Sequence, residues 1–373
     1  MDSPDAPQGS QPAALVTRRS SRLSSLISLA CCLIALVLSF WGLSEWDVPI
    51  TKFVRALYHP IGYLPNPWLA GLSNRGDQLG SGESLIVLSL IFLALGFGLK
   101  QPLWKTVGWQ TVIAHGIAAL ACNILKHLVG RARPKFMHAG NLEFMPVGGS
   151  GWDSFPSGHA TATFAVAAVL ATRFPKVRWI VLGLSAIIAT SRILRGSHFL
   201  TDAAGGAVLG YTIGMVVAHP WREWRSSLAS AILAVTPFLA GLLAVIWTIG
   251  RQTTDLWPAA QLVMIGMLLT MAGLLGDILR TIRSASAPNW LSKGLTHTLI
   301  GVGLGMATGS LWVTLAVGCS CLAHWLQIRG VDVRPIGEPT RGTIVLAREA
   351  AFSLLVLLAL LATVELRGAF PML

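Results

Sequence analysis

"LSSLISLACCLIALVLSFWGL", residues 23–43, contains no charged residue. A helix needs about 20 apolar residues to cross a hydrocarbon core, so this stretch predicts a membrane span. "TRRSSR", residues 17–22, stands directly before it and places three arginines at one mouth of that span. Such a flank is the ordinary signature of a cytoplasmic end. A cleaved signal peptide would be shorter and end in small residues; "LSFWGLS", residues 38–44, offers no such site. The reading is an uncleaved first helix, with residues 1–23 a disordered, Pro- and Ser-rich cytoplasmic tail.

The remainder of the chain repeats the pattern. Apolar runs fall at 24–43, 83–99, 107–127, 158–173, 178–193 and 202–218, then at 229–249, 258–279, 295–308, 311–327 and 344–366. The stretch 295–327 reads equally as two short helices broken at "ATGS" or as one long tilted helix. Hydrophobic residues make up 53% of the chain, charged ones only 12%, and mean hydropathy is +0.64. These values predict an all-α, polytopic membrane protein: a six-helix core followed by four or five further transmembrane helices.

A net charge of +12 would point to nucleic acid in a soluble protein. Here the basic residues flank apolar runs and no basic soluble domain exists, so nucleic-acid binding is excluded. With the N-terminus inside, the larger share of the Lys and Arg falls on the cytoplasmic side. Cys31, Cys32, Cys122, Cys319 and Cys321 lie inside apolar runs and read as small buried hydrophobes, not disulfides or metal ligands. The loop 44–82 carries Trp41, Trp46, Tyr58, Tyr63 and Trp68 in or beside it, as an interfacial aromatic belt would.

Three segments break the apolar pattern: "KHLVGRARP" (126–134), "PSGH" (156–159) and "SRILRGSHFLTD" (191–202). Each lies at a helix end, and the topology turns all three ends to the same outer face. Lys126, Arg133 and Arg192 have no acidic partner within their own motifs. Cations near an apolar boundary need an anion, and a tetrahedral phosphate matches arginine's forked donors and lysine's point charge. Ser157 and Gly158 open a helix whose free N–H groups and dipole also favour an anion. His198 and Asp202 are four apart and share a face if helical. A carboxylate that holds one ring nitrogen leaves the other free as a nucleophile. His159, on another helix, can serve as general acid and then base. Arg131, Lys135 and Arg195 lie near these motifs; attraction of an anionic headgroup and plain solvated loop charge are both open.

These segments resemble the type 2 phosphatidic acid phosphatase superfamily, the lipid phosphate phosphatases. Lys126…Arg133-Pro134, Pro156-Ser157-Gly158-His159 and Ser191-Arg192…His198…Asp202 match its three motifs throughout, over a core of roughly residues 24–218. The resemblance implies a phosphohistidine on His198, support from Asp202, and proton transfer by His159. Lys126, Arg133, Ser157, Gly158 and Arg192 would bind phosphate, with no metal and no cofactor. The expected protein is an integral lipid phosphate or diphosphate phosphatase of the cytoplasmic membrane, with its site on the outer face and a membrane lipid phosphate as its partner. Undecaprenyl diphosphate, phosphatidic acid, phosphatidylglycerol phosphate and lipid A phosphate are all compatible. Rival readings are a lipid phosphotransferase using the same intermediate and a non-catalytic lipid-binding or transport protein.

On this division residues 24–225 are the phosphatase core and 226–373 an accessory membrane domain. The latter resembles an inner-membrane family of predicted metal-dependent hydrolases through Asp277, Thr296-His297-Thr298 and His324. Leu279 and Ile328 stand where that family has acids, so the domain reads as degenerate, its remaining polar residues serving packing or helix ends.

Overall fold

A computed structural model describes residues 22–59, 64–137, 142–250, 259–283, 293–328 and 342–366. Among these residues there are thirteen α-helices and no strand, with one isolated bridge between Arg131 and Phe144. The chain is an all-α, polytopic membrane protein. The helices are α1 (Arg22–Ser44), α2 (Asp47–Tyr58), α3 (Pro67–Leu79), α4 (Gly82–Gly98), α5 (Pro102–Val129), α6 (Gly158–Arg173) and α7 (Arg178–Leu194). Then follow α8 (Leu200–Ala218), α9 (Trp224–Gly250), α10 (Ala259–Arg283), α11 (Lys293–Ala307), α12 (Leu311–Ile328) and α13 (Gly342–Glu365). Six helices are by themselves long and apolar enough to cross a membrane, and α3 with α4 makes a seventh span bent by 52°. Leu26, Leu120, Ile180 and Leu268 are exposed, as side chains facing lipid would be.

The segment 44–82, expected as a loop, is largely helical. Asn66 caps α3 by accepting from the N–H groups of Trp68 and Leu69, and Pro67 occupies the first turn, where no N–H is needed. Ser81 caps α4 in the same way through the Ser84 N–H at 3.2 Å. Asn66 thus starts α3, and Ser81 starts a new helix two residues after α3 ends, which sets the bend between them. Trp41 and Trp68 are exposed, in keeping with the aromatic belt, but Trp46 is buried edge-on against Trp247 at 5.9 Å. Tyr63 lies outside the described residues. The stretch 295–327 resolves into two helices, α11 and α12, turning at Gly309 with φ of 71°.

Helices α6 and α8 pack most intimately. A methyl group on Gly206, Gly210 or Gly214 would come within 2.6, 2.1 or 2.2 Å of the carbonyl oxygens of Ser157, Thr161 and Ala165 respectively. Partners advance together along both chains, so the helices run parallel, with the start of α6 beside the first two turns of α8. Small residues allow backbones to approach this closely where no hydrophobic effect draws helices together. α7 returns antiparallel between them, bringing its C-terminal Arg192 to that same end, and α5 delivers Lys126 there. The later helices are not detached: Leu43, Trp46 and Ile50 share a core with Leu239, Leu243, Trp247 and Val313. All five cysteines are free thiols, three of them buried.

Gly210→Ala should lower stability by about 1–3 kcal/mol, the usual cost of forcing atoms into a filled interface. A thermal unfolding curve in detergent micelles with no shift of midpoint would contradict the close α6–α8 contact.

Candidate active site

Gly130 ends α5 in the left-handed region, at φ of 58°, where a methyl would stand 2.0 Å from the Met145 carbonyl oxygen. Only glycine turns the chain there without strain. The turn sends Arg131 inward and Arg133 towards the α6 N-terminus.

Arg131 is buried, at 4% exposure, between two carboxylates. One guanidinium nitrogen donates to Asp202 Oδ1 at 2.8 Å and Thr201 Oγ1 at 2.7 Å; the other donates to Asp47 Oδ2 at 2.7 Å. Asp47 also accepts from the Thr201 N–H at 3.0 Å and from its hydroxyl. Burial alone would lower the Arg131 pKa, but Asp202 and Asp47 outweigh it and raise it, so the guanidinium stays charged. Neither headgroup attraction nor solvated loop charge describes this residue. It is a structural ion that fixes the start of α8.

His198 is buried in the turn before α8. Its Nδ1 donates to the Ser154 carbonyl at 2.8 Å, whereas Asp202 Oδ2 is 3.8 Å away. The expected direct His198–Asp202 bond is thus replaced by an indirect one. Asp202 Oδ2 accepts from the Ser154 hydroxyl at 2.5 Å and the Phe199 N–H at 2.8 Å, holding the segment that in turn holds the ring. The tautomer follows: with the proton on Nδ1, Nε2 carries a free lone pair. Burial pushes the His198 pKa below its usual range against the pull of Asp202, and the cations of Arg133 and Lys126 add to the lowering. A neutral ring at pH 7 is the nucleophilic form.

Lys126 and Arg133 meet over Asp153. Arg133 grips both carboxylate oxygens at 2.8 and 2.6 Å, and Lys126 Nζ lies 3.5 Å away. The Arg133 hydrogen bond holds the Asp153 carboxyl well below its usual range. Lys126 Nζ also stands 3.9 Å from where a methyl on Gly158 would be, at the open start of α6. Ser157 Oγ is buried there without a hydrogen-bond partner, and its N–H donates to the Asp202 carbonyl at 2.9 Å. Arg192 and Arg195 both pair with Asp77 of α3, whose Oδ1 also lies 3.1 Å from His159 Nε2. Close approach of α3 to α7 allows this, since Gly76 packs directly on Ser191. His198 and Arg192 both act electrostatically on His159.

The structure therefore gathers Lys126, Arg133, Ser157, Gly158, His159, Arg192, His198 and Asp202 at one end of the helix bundle. The cations are not without acidic partners, as their motifs taken alone implied. Asp77 and Asp153 neutralise them from elsewhere in the chain. Asp47, Asp77 and Ser154 carried no recognisable spacing. Asp153 stands five residues before Gly158-His159, and that proximity was the one available signal. Among the described residues, no cluster of three or more His, Cys, Asp or Glu could hold a metal ion.

This arrangement defines a class: a multi-span helical membrane protein with two histidines among lysine and arginine side chains at its helix ends. The sequence profile of the PAP2 superfamily matches residues 107–226. The chain is 34% identical over 178 residues to a Lipid A 1-phosphatase of Rhizobium etli, covering 43% of this chain and 75% of that protein. It is 34% identical over 149 residues to a Decaprenylphosphoryl-5-phosphoribose phosphatase of Mycobacterium tuberculosis, covering 39% and 75%. With Phosphatidylglycerophosphatase B of Bacillus subtilis it shares 27% over 162 residues, 40% of this chain and 74% of that one. A crystal structure of a PAP2 type phosphatidylglycerolphosphate phosphatase from Bacillus subtilis overlays 51% of this chain and 93% of its own, at 24% identity and a TM-score of 0.38. The chain belongs to the PAP2 superfamily.

Breaking the buried ion triad should cost more than losing a surface pair. Arg131→Met is expected to destabilise the protein by about 3–5 kcal/mol, because two buried carboxylates lose their counter-ion. Chemical denaturation in micelles reads this out, and a change below about 1 kcal/mol would mean that the triad is not a structural centre.

Proposed function

We propose that this chain is an integral membrane phosphatase that hydrolyses the phosphate or diphosphate ester of a membrane lipid. The observation that carries the reading is the His198 ring, buried and fixed through Nδ1, amid the donors Lys126, Arg133 and Arg192. In the first step the His198 Nε2 lone pair forms a bond to phosphorus while the bond from phosphorus to the lipid oxygen breaks. His159 delivers a proton to that leaving oxygen. In the second step water attacks the phosphorus, His159 accepts the water's proton, and the P–N bond breaks to release phosphate and neutral His198. Lys126, Arg133, Arg192 and the N-terminus of α6 stabilise charge on the equatorial oxygens. The donors are bonded to Asp77 and Asp153, so a phosphate binds by exchanging its oxygens for those carboxylates.

The chain's own residues supply every step, without a metal or cofactor. We place the site on the outer face of the cytoplasmic membrane, with the N-terminus inside. The arginines before α1 support that orientation, and the parallel course of α6 and α8 puts both of their starts on one face. The named activities of the relatives support a lipid phosphate as substrate.

His198→Ala should reduce orthophosphate release from phosphatidic acid at least about a thousandfold with EDTA present, as loss of a nucleophile does. Turnover by this variant near that of the parent would sink the mechanism. Appearance of the phosphate on an added lipid alcohol instead of in solution would mean transfer in place of hydrolysis.

Helices α9–α13 form, on this reading, an accessory membrane unit. Asp277 is buried and accepts from Arg280 at 2.9 Å and Thr296 at 3.2 Å. His324 Nδ1 donates to the Ser320 carbonyl one turn back at 3.0 Å. These are packing bonds. Asp277→Asn combined with His324→Gln should leave phosphate release within about twofold of the parent, the scale of a surface substitution. Loss of activity in this pair together with sensitivity to chelators would make the second half a metal enzyme in its own right.

A further inference from the structure

Two glycines of α3, one turn apart, press that helix onto its neighbours. A methyl group on Gly76 would stand 2.1 Å from Ser191 Oγ; one on Gly80 would stand 2.5 Å from Ile188 Cγ2 and 3.0 Å from His159 Cδ2. Asp77 follows Gly76, and that contact delivers it into the site. Nothing in α3 itself favours an acid there. Asp77 lies in the last turn of the helix, where the dipole disfavours negative charge. Its partners lie on other elements: Oδ1 meets the Arg192 guanidinium and is 3.1 Å from His159 Nε2, while Oδ2 meets Arg195.

These three partners are not equivalent. Arg192 is buried, and its Nε has no hydrogen-bond partner. It is one of the phosphate donors, so a bound phosphate draws it away from Asp77. Arg195 is exposed and stands outside the donor set, so it keeps its hold on Oδ2. Oδ1 is then left to His159. The ring is turned for this. Its Nε2–Cδ2 edge lies against α3, with Nε2 on Asp77 and Cδ2 on Gly80. The opposite edge, which carries Nδ1, faces away from α3. A general acid must hold the proton it gives, and His159 has the cation of Arg192 beside it. A carboxylate on Nε2 offsets that repulsion and fixes the ring.

We infer that Asp77 is the positioning residue of His159, and that Nδ1 of His159 is the nitrogen that gives the proton to the leaving lipid oxygen. The Nε2 proton stays with Asp77 throughout. The Nδ1 proton moves to the leaving oxygen as the P–O bond breaks. Nδ1 then accepts a proton from the water that cleaves the P–N bond. The inference rests on the phosphatase reading and deepens it.

The test is orthophosphate release by the full-length protein in mixed micelles from two lipids: phosphatidic acid, and its analogue with sulfur in place of the oxygen that bridges phosphorus and glycerol. An alkoxide needs a proton to leave and a thiolate does not, so only the oxygen lipid depends on the general acid. Comparison of kcat/KM reads the loss of transition-state stabilisation for each lipid. Asp77→Asn, which keeps shape and removes charge, should lower the ratio of kcat/KM for the oxygen lipid to that for the sulfur lipid by about tenfold or more. Asp77→Glu, which restores the charge, should recover most of that ratio, and His159→Ala should lower it at least as far as Asp77→Asn. A ratio is insensitive to a general loss of folded protein. A ratio that His159→Ala lowers and Asp77→Asn leaves unchanged would overturn the assignment, as would an Asp77→Glu variant no better than Asp77→Asn. Release from neither lipid by the parent would overturn the phosphatase reading itself, and this inference with it.

Discussion

Arg131 lies buried where three parts of the chain meet: the start of α2 through Asp47, the turn after α5, and the start of α8 through Thr201 and Asp202. A buried guanidinium tolerates no loss of partner, because desolvation is recovered only while both carboxylates stay in place. The cation also stacks on Phe199 at 4.3 Å, the residue directly before α8. This one charge thus sets the level at which α8 begins. The two arms of Asp202 divide the work: Oδ1 answers Arg131, and Oδ2 answers Ser154 and Phe199. The position of the His198 ring follows from a structural ion pair, relayed through Ser154.

Charge balance in the outer half of the site follows a similar logic. Arg192, Arg195 and His159 share Asp77, while Lys126 and Arg133 share Asp153. An anionic ligand entering here meets donors that are already oriented and partly compensated. The donors spend little conformational freedom on binding, which favours selectivity, but each incoming oxygen must replace an existing bond. Asp77 lies on a helix upstream of the matched family region, so α3 brings a charge to the site that the shared motifs do not contain.

The fold class was legible because membrane burial leaves a coarse mark. Runs near 20 apolar residues have no other use, and most helices fell within a few residues of the expected spans. The helix α3 and its bend into α4 were not legible, and the turn between α11 and α12 was legible only as one of two alternatives, the break at "ATGS". Both depend on short local devices: Asn66 starts α3 in a stretch too polar to read as a span, Ser81 restarts the chain as α4, and Gly309 turns it after α11. Trp46 passed for an interfacial aromatic because its partner Trp247 stands some two hundred residues away.

Taken alone, the sequence determined that this is a multi-span helical protein, and which histidines and cations stand out from its apolar pattern, because those residue types are expensive beside a membrane and appear in three tight clusters. The tertiary structure decided how their charge is balanced. Asp47, Asp77 and Asp153 come from separate segments, and no linear spacing pairs Asp47 with Arg131 or Asp77 with Arg192, with whole helices between them. It likewise decided that Ser154, and not Asp202, holds the His198 proton, because a difference of 1 Å between 2.8 and 3.8 Å is a matter of packing and leaves no trace in residue order.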